Sequence, residues 1–401
     1  MNPPEDNLNR IQPIGAAELY QAAVHRFFAD QESLSAAQDS IIRFKEEIRR
    51  LEDDLSRELV RPRQILVIGG AGYIGSVLAR HLLQRGYRVR VLDVLLYENE
   101  GTLADFVNEP GFEFIEGDFL HQATLHRSLQ DVTDVVLLAA LVGDPICKQY
   151  PEQARDINFH GAVGVIEALK NHPINKLVFT STCSNYGIFQ GEAPADEEAP
   201  LQPMSLYAET KVKVEQHILD RKGKLDYSPT VLRLATVFGT GYRTRFDLTI
   251  NHFTRDLALG RELVVFDHTT WRPYCHVEDI AQAITRVLEY PREKVEFQVF
   301  NVGDNQQNYS KEQIVDLIRQ SVPDANVQYR EGGNDPRDYQ VDFRKIQREL
   351  NFTPQHSASS CVAELVEALK AGRFDDVEDR QTFYGNYRIP AFDQSDDRKQ
   401  A

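Results

Sequence analysis

Tyr207 and Lys211 stand one helical turn apart in Tyr207-Ala208-Glu209-Thr210-Lys211, so on a helix they share a face. An ammonium beside a phenol lowers its pKa, and a tyrosine so placed can give and take a proton near neutral pH. The pair gains meaning from two other places in the chain. Phe179-Thr180-Ser181-Thr182-Cys183-Ser184-Asn185-Tyr186-Gly187 reads as a hydroxyl-rich strand end, where a hydroxyl can hydrogen-bond a substrate oxygen. Gly69-Gly70-Ala71-Gly72-Tyr73-Ile74-Gly75 satisfies both G-x-G-x-x-G and G-x-x-G-x-x-G. Such glycines permit a tight turn and let backbone N–H groups approach a pyrophosphate at a helix N-terminus.

These residues need elements to hold them. Gln64–Ile68 is an apolar run entering the glycine turn, and further strand-like runs follow at Arg88–Leu92, Phe112–Glu116, Asp134–Leu138, Lys176–Thr180, Thr230–Leu234 and Phe297–Val302. Helical patterns fill the gaps, as at Ser76–Gln84, Pro151–Asn171 and Ser205–Arg221. Alternation of apolar strands with helices predicts an α/β fold with a doubly wound parallel (Rossmann) sheet. Asp93 then closes the second strand, where its carboxylate can bind the adenosine ribose hydroxyls. No arginine follows in Val94-Leu95-Leu96-Tyr97 to receive a 2′-phosphate, so the expected cofactor is NAD rather than NADP. Gly117-Asp118-Phe119 ends the third strand, where Asp118 can reach the adenine amino group.

The chain of 401 residues carries a net charge of −16, spread through its body, which disfavours a polyanionic partner such as nucleic acid. Its 42% apolar content suffices for a core, and no apolar run is long enough to span a membrane. The first nine residues show no signal-like apolar run. Four widely spaced cysteines (Cys147, Cys183, Cys275, Cys361) argue against a zinc site or a disulfide framework and fit a reducing cytoplasm. Before Pro62, residues Leu19 to Leu59 read as helix. Within it Leu34, Ala37, Ile41, Phe44, Ile48, Leu51 and Leu55 alternate spacings of three and four. The stripe fits either a helix packed on its own domain or a coiled-coil arm that makes a homodimer or higher homo-oligomer. The expected organisation is a helical extension over 1–62, a Rossmann domain over 63–240 to which 273–302 returns, a smaller substrate lobe from 241–272 and 303–375, and a tail over 376–401 that frays from about Arg380.

Taken together, the motifs resemble the extended short-chain dehydrogenase/reductase superfamily in its nucleotide-sugar epimerase/dehydratase branch, over roughly Arg63 to Lys370. The resemblance rests on Gly69–Gly75, Asp93, Gly117-Asp118, Ala139-Ala140, Asn158, Thr182 with Tyr186-Gly187, Tyr207 with Lys211, Arg233 to Gly239, Trp271-Arg272-Pro273 and His276 to Asp279. It implies a catalytic set of Thr182, Tyr207 and Lys211. It implies a cofactor site of Gly69, Gly72, Tyr73, Ile74, Gly75, Asp93, Asp118, Phe119, Ala139 and Ala140, shared with Tyr207 and Lys211. Asn158 would support the catalytic helix or a water relay. The substrate implied is a nucleoside-diphosphate sugar, with Arg272 and Arg337 on the diphosphate. Asp144, Arg245 and Asn251 are further substrate candidates, with Cys147, Tyr242 and Arg243 near at hand; no metal site is expected.

Two departures from the family pattern bear on the reaction. Sugar 4,6-dehydratases carry an acidic pair directly after the serine or threonine, and here those positions are Cys183 and Ser184. The 3,5-epimerising members place a cysteine two residues before the motif tyrosine, a position that is Ser184 here, so Cys183 reads as a packing residue. Thr236 and Phe238 stand where the family has Asn and Tyr. The expectation is an NAD-dependent nucleotide-sugar epimerase that oxidises the sugar transiently to a keto-sugar and reduces it again, with Tyr207 as acid/base. A net NAD(P)-dependent nucleotide-ketosugar reductase or dehydrogenase is the alternative, and a catalytically silent NAD-binding assembly protein a remote one.

Overall fold

The computed structural model describes residues 41, 43–48, 63–189, 191–333 and 335–393. The chain divides into two units, Met1–Pro62 and Arg63–Ala401. In the first, the described residues are helical, with Phe44 and Ile48 half-buried and Ile41 exposed. The rest of the predicted apolar stripe lies outside the described residues.

The second unit is built on seven strands: β1 (Gln64–Ile68), β2 (Arg88–Asp93), β3 (Phe112–Glu116), β4 (Asp134–Leu137), β5 (Lys176–Thr182), β6 (Ser228–Leu234) and β10 (Val299–Val302). They lie in the order β3-β2-β1-β4-β5-β6-β10, all parallel. The pleat sends alternate side chains to opposite faces. Ile65 and Val67 pack in one buried cluster with Val89, Val136 and Val178, while Leu66 and Ile68 pack in another with Leu137, Leu177 and Phe179. Both faces are covered, which is why these strands are apolar throughout. The first face lies under the Tyr73–Gln84 and Val277–Glu289 helices, which pack on one another. The second lies under Ala162–Leu169 and Leu206–Leu219, through residues such as Val165, Ile166, Val214 and Ile218. The doubly wound sheet implied by the sequence is therefore present.

Three strands, β7 (Thr236–Phe238), β9 (Trp271–His276) and β11 (Asn308–Ser310), form a small sheet in the order β11-β9-β7. β8 (Leu263–Phe266) and β12 (Val327–Arg330) form a parallel pair. They share a third buried cluster with the Thr249–Ala258, Lys311–Arg319 and Ala358–Lys370 helices. Residues 271–276 thus belong to the small sheet, while the helix and strand that follow them lie on and in the parallel one. The expectation of a frayed end after Arg380 does not hold as far as Asp393. Gln381–Tyr384 is a short helix, and Phe383, Tyr384 and Ile389 are buried. A few well-spaced apolar residues suffice to fix a polar segment. Among the described residues no helix is long and apolar enough to cross a membrane, and the four cysteines are free and buried.

A buried polar network fixes the end of β5 against the Leu206–Leu219 helix. Glu215 receives hydrogen bonds from the Ser181 hydroxyl, from Asn185 Nδ2 at 2.6 Å, and from Arg233 Nη2 at 2.8 Å and Nε at 3.1 Å. Arg233 Nη1 also donates to the Tyr186 hydroxyl at 3.0 Å. Side chains of Glu215 and Arg233 are almost wholly removed from water. Removing one partner of such a pair strands a buried charge. Glu215→Ala should therefore lower unfolding free energy by about 3–5 kcal/mol in denaturant titrations; a loss below about 1 kcal/mol, the scale of an exposed ion pair, would contradict the network's role.

Candidate active site

In a parallel sheet all strands end on one edge, and ligands bind where the strand order reverses, here between β1 and β4. A cleft of about 780 Å³ opens there. Its cofactor half begins at the glycine turn. Gly69 has a φ of +86°, and a Cβ on it would lie 2.6 Å from the Ala139 nitrogen. A Cβ on Gly75 would lie 2.4 Å from the Gly69 carbonyl oxygen. The turn must therefore be bare backbone. It delivers the chain into the Tyr73–Gln84 helix, whose N-cap Gly72 offers no side-chain acceptor to the first-turn N–H groups. Those groups remain open to a phosphate. Asp93 lines the cleft and accepts hydrogen bonds from Ala71 N at 3.0 Å and Leu95 N at 2.9 Å. Burial raises its pKa against the pull of these bonds, so ribose hydroxyls arriving as donors would complete its acceptor capacity. These features fit a dinucleotide.

The remaining cofactor candidates, Ile74, Asp118, Phe119, Ala139 and Ala140, line the same cleft. Asp118 also accepts from Leu120 N at 2.8 Å, shaping its own turn. Tyr73 lines the cleft too, but its hydroxyl is committed to the Gly239 carbonyl at 2.5 Å.

Thr182, Tyr207 and Lys211 line the other end. Ser205 caps the Leu206–Leu219 helix, its hydroxyl accepting from Ala208 N at 3.3 Å. Thr182 Oγ1 accepts from Ser184 N at 3.1 Å, which leaves its O–H free to donate to a substrate oxygen. Lys211 Nζ donates to the Thr180 carbonyl at 2.8 Å and lies 5.9 Å from the Tyr207 ring centre. Burial pushes the Lys211 pKa down to about 8. Enclosure pushes that of Tyr207 up, Cys147 and Asp144 adding to the rise and Arg245 opposing it. Asn158 sits on the π-helical turn Asp156–Gly161 and clips Leu141 from both sides, accepting from its N–H at 2.7 Å and donating to its carbonyl at 2.9 Å. It positions the loop after β4.

On the substrate side the structure sorts the candidates. Arg272 and Arg337 both line the cleft and both engage Asp335, at 2.9 Å and 2.7 Å. Against the upward push of burial, the two guanidiniums hold the Asp335 carboxyl well below its usual range. Arg337 also reaches Asp144 Oδ2 at 3.1 Å and the Ser184 hydroxyl at 3.1 Å. Asp144 Oδ1 is a buried acceptor without a hydrogen-bond partner among the described residues. Arg245 borders the cleft but is locked by two bonds to Asp247. Asn251 does not reach the cleft. It is fully buried, accepts from Gly239 N at 3.0 Å and donates to the Arg245 carbonyl at 3.0 Å, so it holds the loop between them. Cys147 is likewise buried, its thiol donating to the Leu141 carbonyl at 3.3 Å, and Tyr242 packs edge-on to Phe106. Cys183 turns inward to the Arg233 carbonyl, and burial raises its pKa well above the usual value.

Sequence reasoning missed Tyr339, Tyr97, Asn386, Tyr387 and Phe392, all of which line the cleft. The last three lie in the segment expected to fray. Tyr339 follows the Asp335-Pro336-Arg337-Asp338 motif closely enough that the motif signals it.

The NAD dependent epimerase/dehydratase family matches residues 65–303, and the chain belongs to it. The UDP-glucose 4-epimerase of Corynebacterium glutamicum is 30% identical over 321 residues, covering 75% of this chain and 94% of that protein. Among solved structures, the UDP-glucose 4-epimerase of Thermotoga maritima with UDP-glucose is 25% identical with a TM-score of 0.69. The UDP-glucuronic acid 4-epimerase of Bacillus cereus, in complex with UDP-glucuronic acid and NAD, is 25% identical with a TM-score of 0.70. Each covers 77% of this chain and 99% of its own.

The lowered Lys211 pKa links to stability. The unfolded chain keeps this proton up to the ordinary value of 10.5, the folded chain only to about 8. Between those values the unfolded state binds more protons, so folding gains as pH rises, and below about 8 the full penalty stands. In the cofactor-free protein Lys211→Met should therefore stabilise at pH 7 by up to about 3 kcal/mol, an advantage that shrinks toward pH 10. Melting curves of both forms across this range check it; a difference independent of pH would contradict it.

Proposed function

We propose that this chain is an NAD-dependent nucleotide-sugar epimerase working through transient oxidation of the sugar. One observation carries the reading. Thr182, Tyr207 and Lys211 share a cleft with the glycine turn and Asp93, while the two positions after Thr182 hold no acid: Cys183 faces away and Ser184 is held by Arg337. A proton can move at a sugar hydroxyl, but no carboxylic acid stands there to expel water. The relatives, 4-epimerases of UDP-sugars, support a UDP-sugar and inversion at C4.

Gly69–Gly75 and Asp93 would hold NAD, which when bound would supply a reversible hydride acceptor. Tyr207 takes the proton of the reacting hydroxyl and, once the keto-sugar has turned to present its opposite face for reduction, gives a proton back to the same oxygen. Lys211 favours the phenolate and reaches for the nicotinamide ribose. Thr182 donates its O–H to the sugar oxygen as charge builds there. Arg272 and Arg337 face the diphosphate, and Asp144 Oδ1 accepts a sugar hydroxyl.

Tyr207→Phe should cut turnover by about 10²–10⁴-fold while leaving NAD binding intact. Arg272→Ala should raise the Kd of the nucleotide-sugar by about tenfold or more, with little change for NAD. Steady-state rates and calorimetric titrations check both. Unchanged turnover in the first variant removes Tyr207 from its role, and equal loss of both ligands in the second removes Arg272 from the diphosphate.

A further inference from the structure

Residues 381–393 build one wall of the cleft. Their anchor is apolar: Phe383 and Tyr384 are buried among Phe246, Leu365, Leu369 and Val377, and Phe246 N donates to the Tyr384 carbonyl at 2.7 Å. Beyond the anchor, Asn386 is buried and spans two loops. Its Oδ1 accepts from Arg243 Nη2 at 2.9 Å, and its Nδ2 donates to the Val142 carbonyl at 2.9 Å. The Arg243 guanidinium in turn lies 4.3 Å from the centre of the Tyr97 ring. One asparagine thus ties the loop after β7 to the loop after β4, and through Arg243 to the loop after β2. Three residues on, Ile389 is fully buried with Leu141, Ile146, Cys147 and Tyr150, a cluster that Tyr207 and Phe392 border. The Tyr150 hydroxyl donates to Asp393, closing the far end.

The loops joined in this way rise on either side of the glycine turn. Asp93 and Tyr97 stand on the β2 side, Val142 and Gly143 on the β4 side, and all four line the cleft with Asn386, Tyr387 and Phe392. A dinucleotide stretched from Asp93 to Lys211 would have to part them in order to leave. The solved relatives align over 77% of this chain and nearly all of their own, so more of this chain lacks a counterpart than residues 1–62 comprise.

We infer that residues 381–393 are a clasp that retains the dinucleotide, with Asn386 and Ile389 as its two fastenings. This rests on the reading of the cleft as an NAD site. Release then waits on local opening, in which Asn386 gives up two hydrogen bonds and Ile389 leaves its pocket. A cofactor held in this way is regenerated in place from one turnover to the next.

The test uses the full chain loaded with NAD and diluted into an enzyme that destroys free NAD, with the cofactor remaining on the protein measured over time. Asn386→Ala and Ile389→Ala are each expected to release NAD about tenfold faster or more than the wild type, since truncation of a clasp acts on the off-rate. A chain ending at Arg380 should release it faster still; if that form does not fold, the two point variants decide. Unchanged release in both, with melting curves showing an intact fold, would overturn the clasp. So would a wild-type chain that loses NAD on dilution as fast as the variants, or variants in which only the KM of the nucleotide-sugar rises. The readout is cofactor release, not turnover, so it stands even where Tyr207→Phe proves Tyr207 not to be the acid/base.

Discussion

Tyr207, the tyrosine proposed to exchange a proton, is set into a cleft that makes its ionised form costly. Most of the site's construction answers that constraint. Enclosure raises the Tyr207 pKa, with Arg245 from the loop after β7 opposing the rise, and Lys211 stands one turn along the same helix, 5.9 Å from the ring centre. These charges are themselves buried and expensive. Lys211 gives up part of its basicity, and Arg245 is held by Asp247. The parallel sheet makes the arrangement possible, because strand ends far apart in sequence meet on one edge.

The acidity of the chain takes on a local meaning in the cleft. Arg243, Arg245, Arg272 and Arg337 all line it, yet Asp247, Asp335 and Asp144 stand among them. Asp335 holds two guanidiniums at once, while Arg272 also donates to the Trp271 and Arg337 carbonyls and Arg337 to the Ser184 hydroxyl. On the proposed reading, a diphosphate entering the site would meet guanidiniums already oriented by Asp335. Asp144 has one oxygen on Arg337 and the other without a partner among the described residues, and in the proposed reading it would accept a sugar hydroxyl.

What was legible in the sequence was whatever the backbone period encodes. The apolar strands, the glycine turn, Asp93 at the end of β2 and the Tyr207–Lys211 spacing all lie where alternation and helical repeat place them. Side-chain direction inside a loop has no period. Asn251 and Cys147 turned inward to hold backbone, and Tyr242 packs half-buried against Phe106, although each is of a type that could touch a substrate. The Glu215 network escaped notice because its members are drawn from β5, β6 and a helix, and only the fold brings them together. The segment after Arg380 misled for a different reason. Its composition is that of a loose tail, and its order depends on Phe383, Tyr384 and Ile389 finding pockets contributed by distant parts of the chain.

Epimerisation with a resident cofactor and net reduction or oxidation share one constellation of residues and differ only in where the hydride ends. That difference can be read from the product. A nucleotide-sugar deuterated at the carbons of its sugar ring, incubated in ordinary water with the purified chain and no added cofactor, should yield an isomer of the same mass with every deuterium retained, as seen by mass spectrometry. A product that has gained or lost hydrogen would contradict internal return of the hydride, as would one whose formation demands a stoichiometric supply of NAD or NADH.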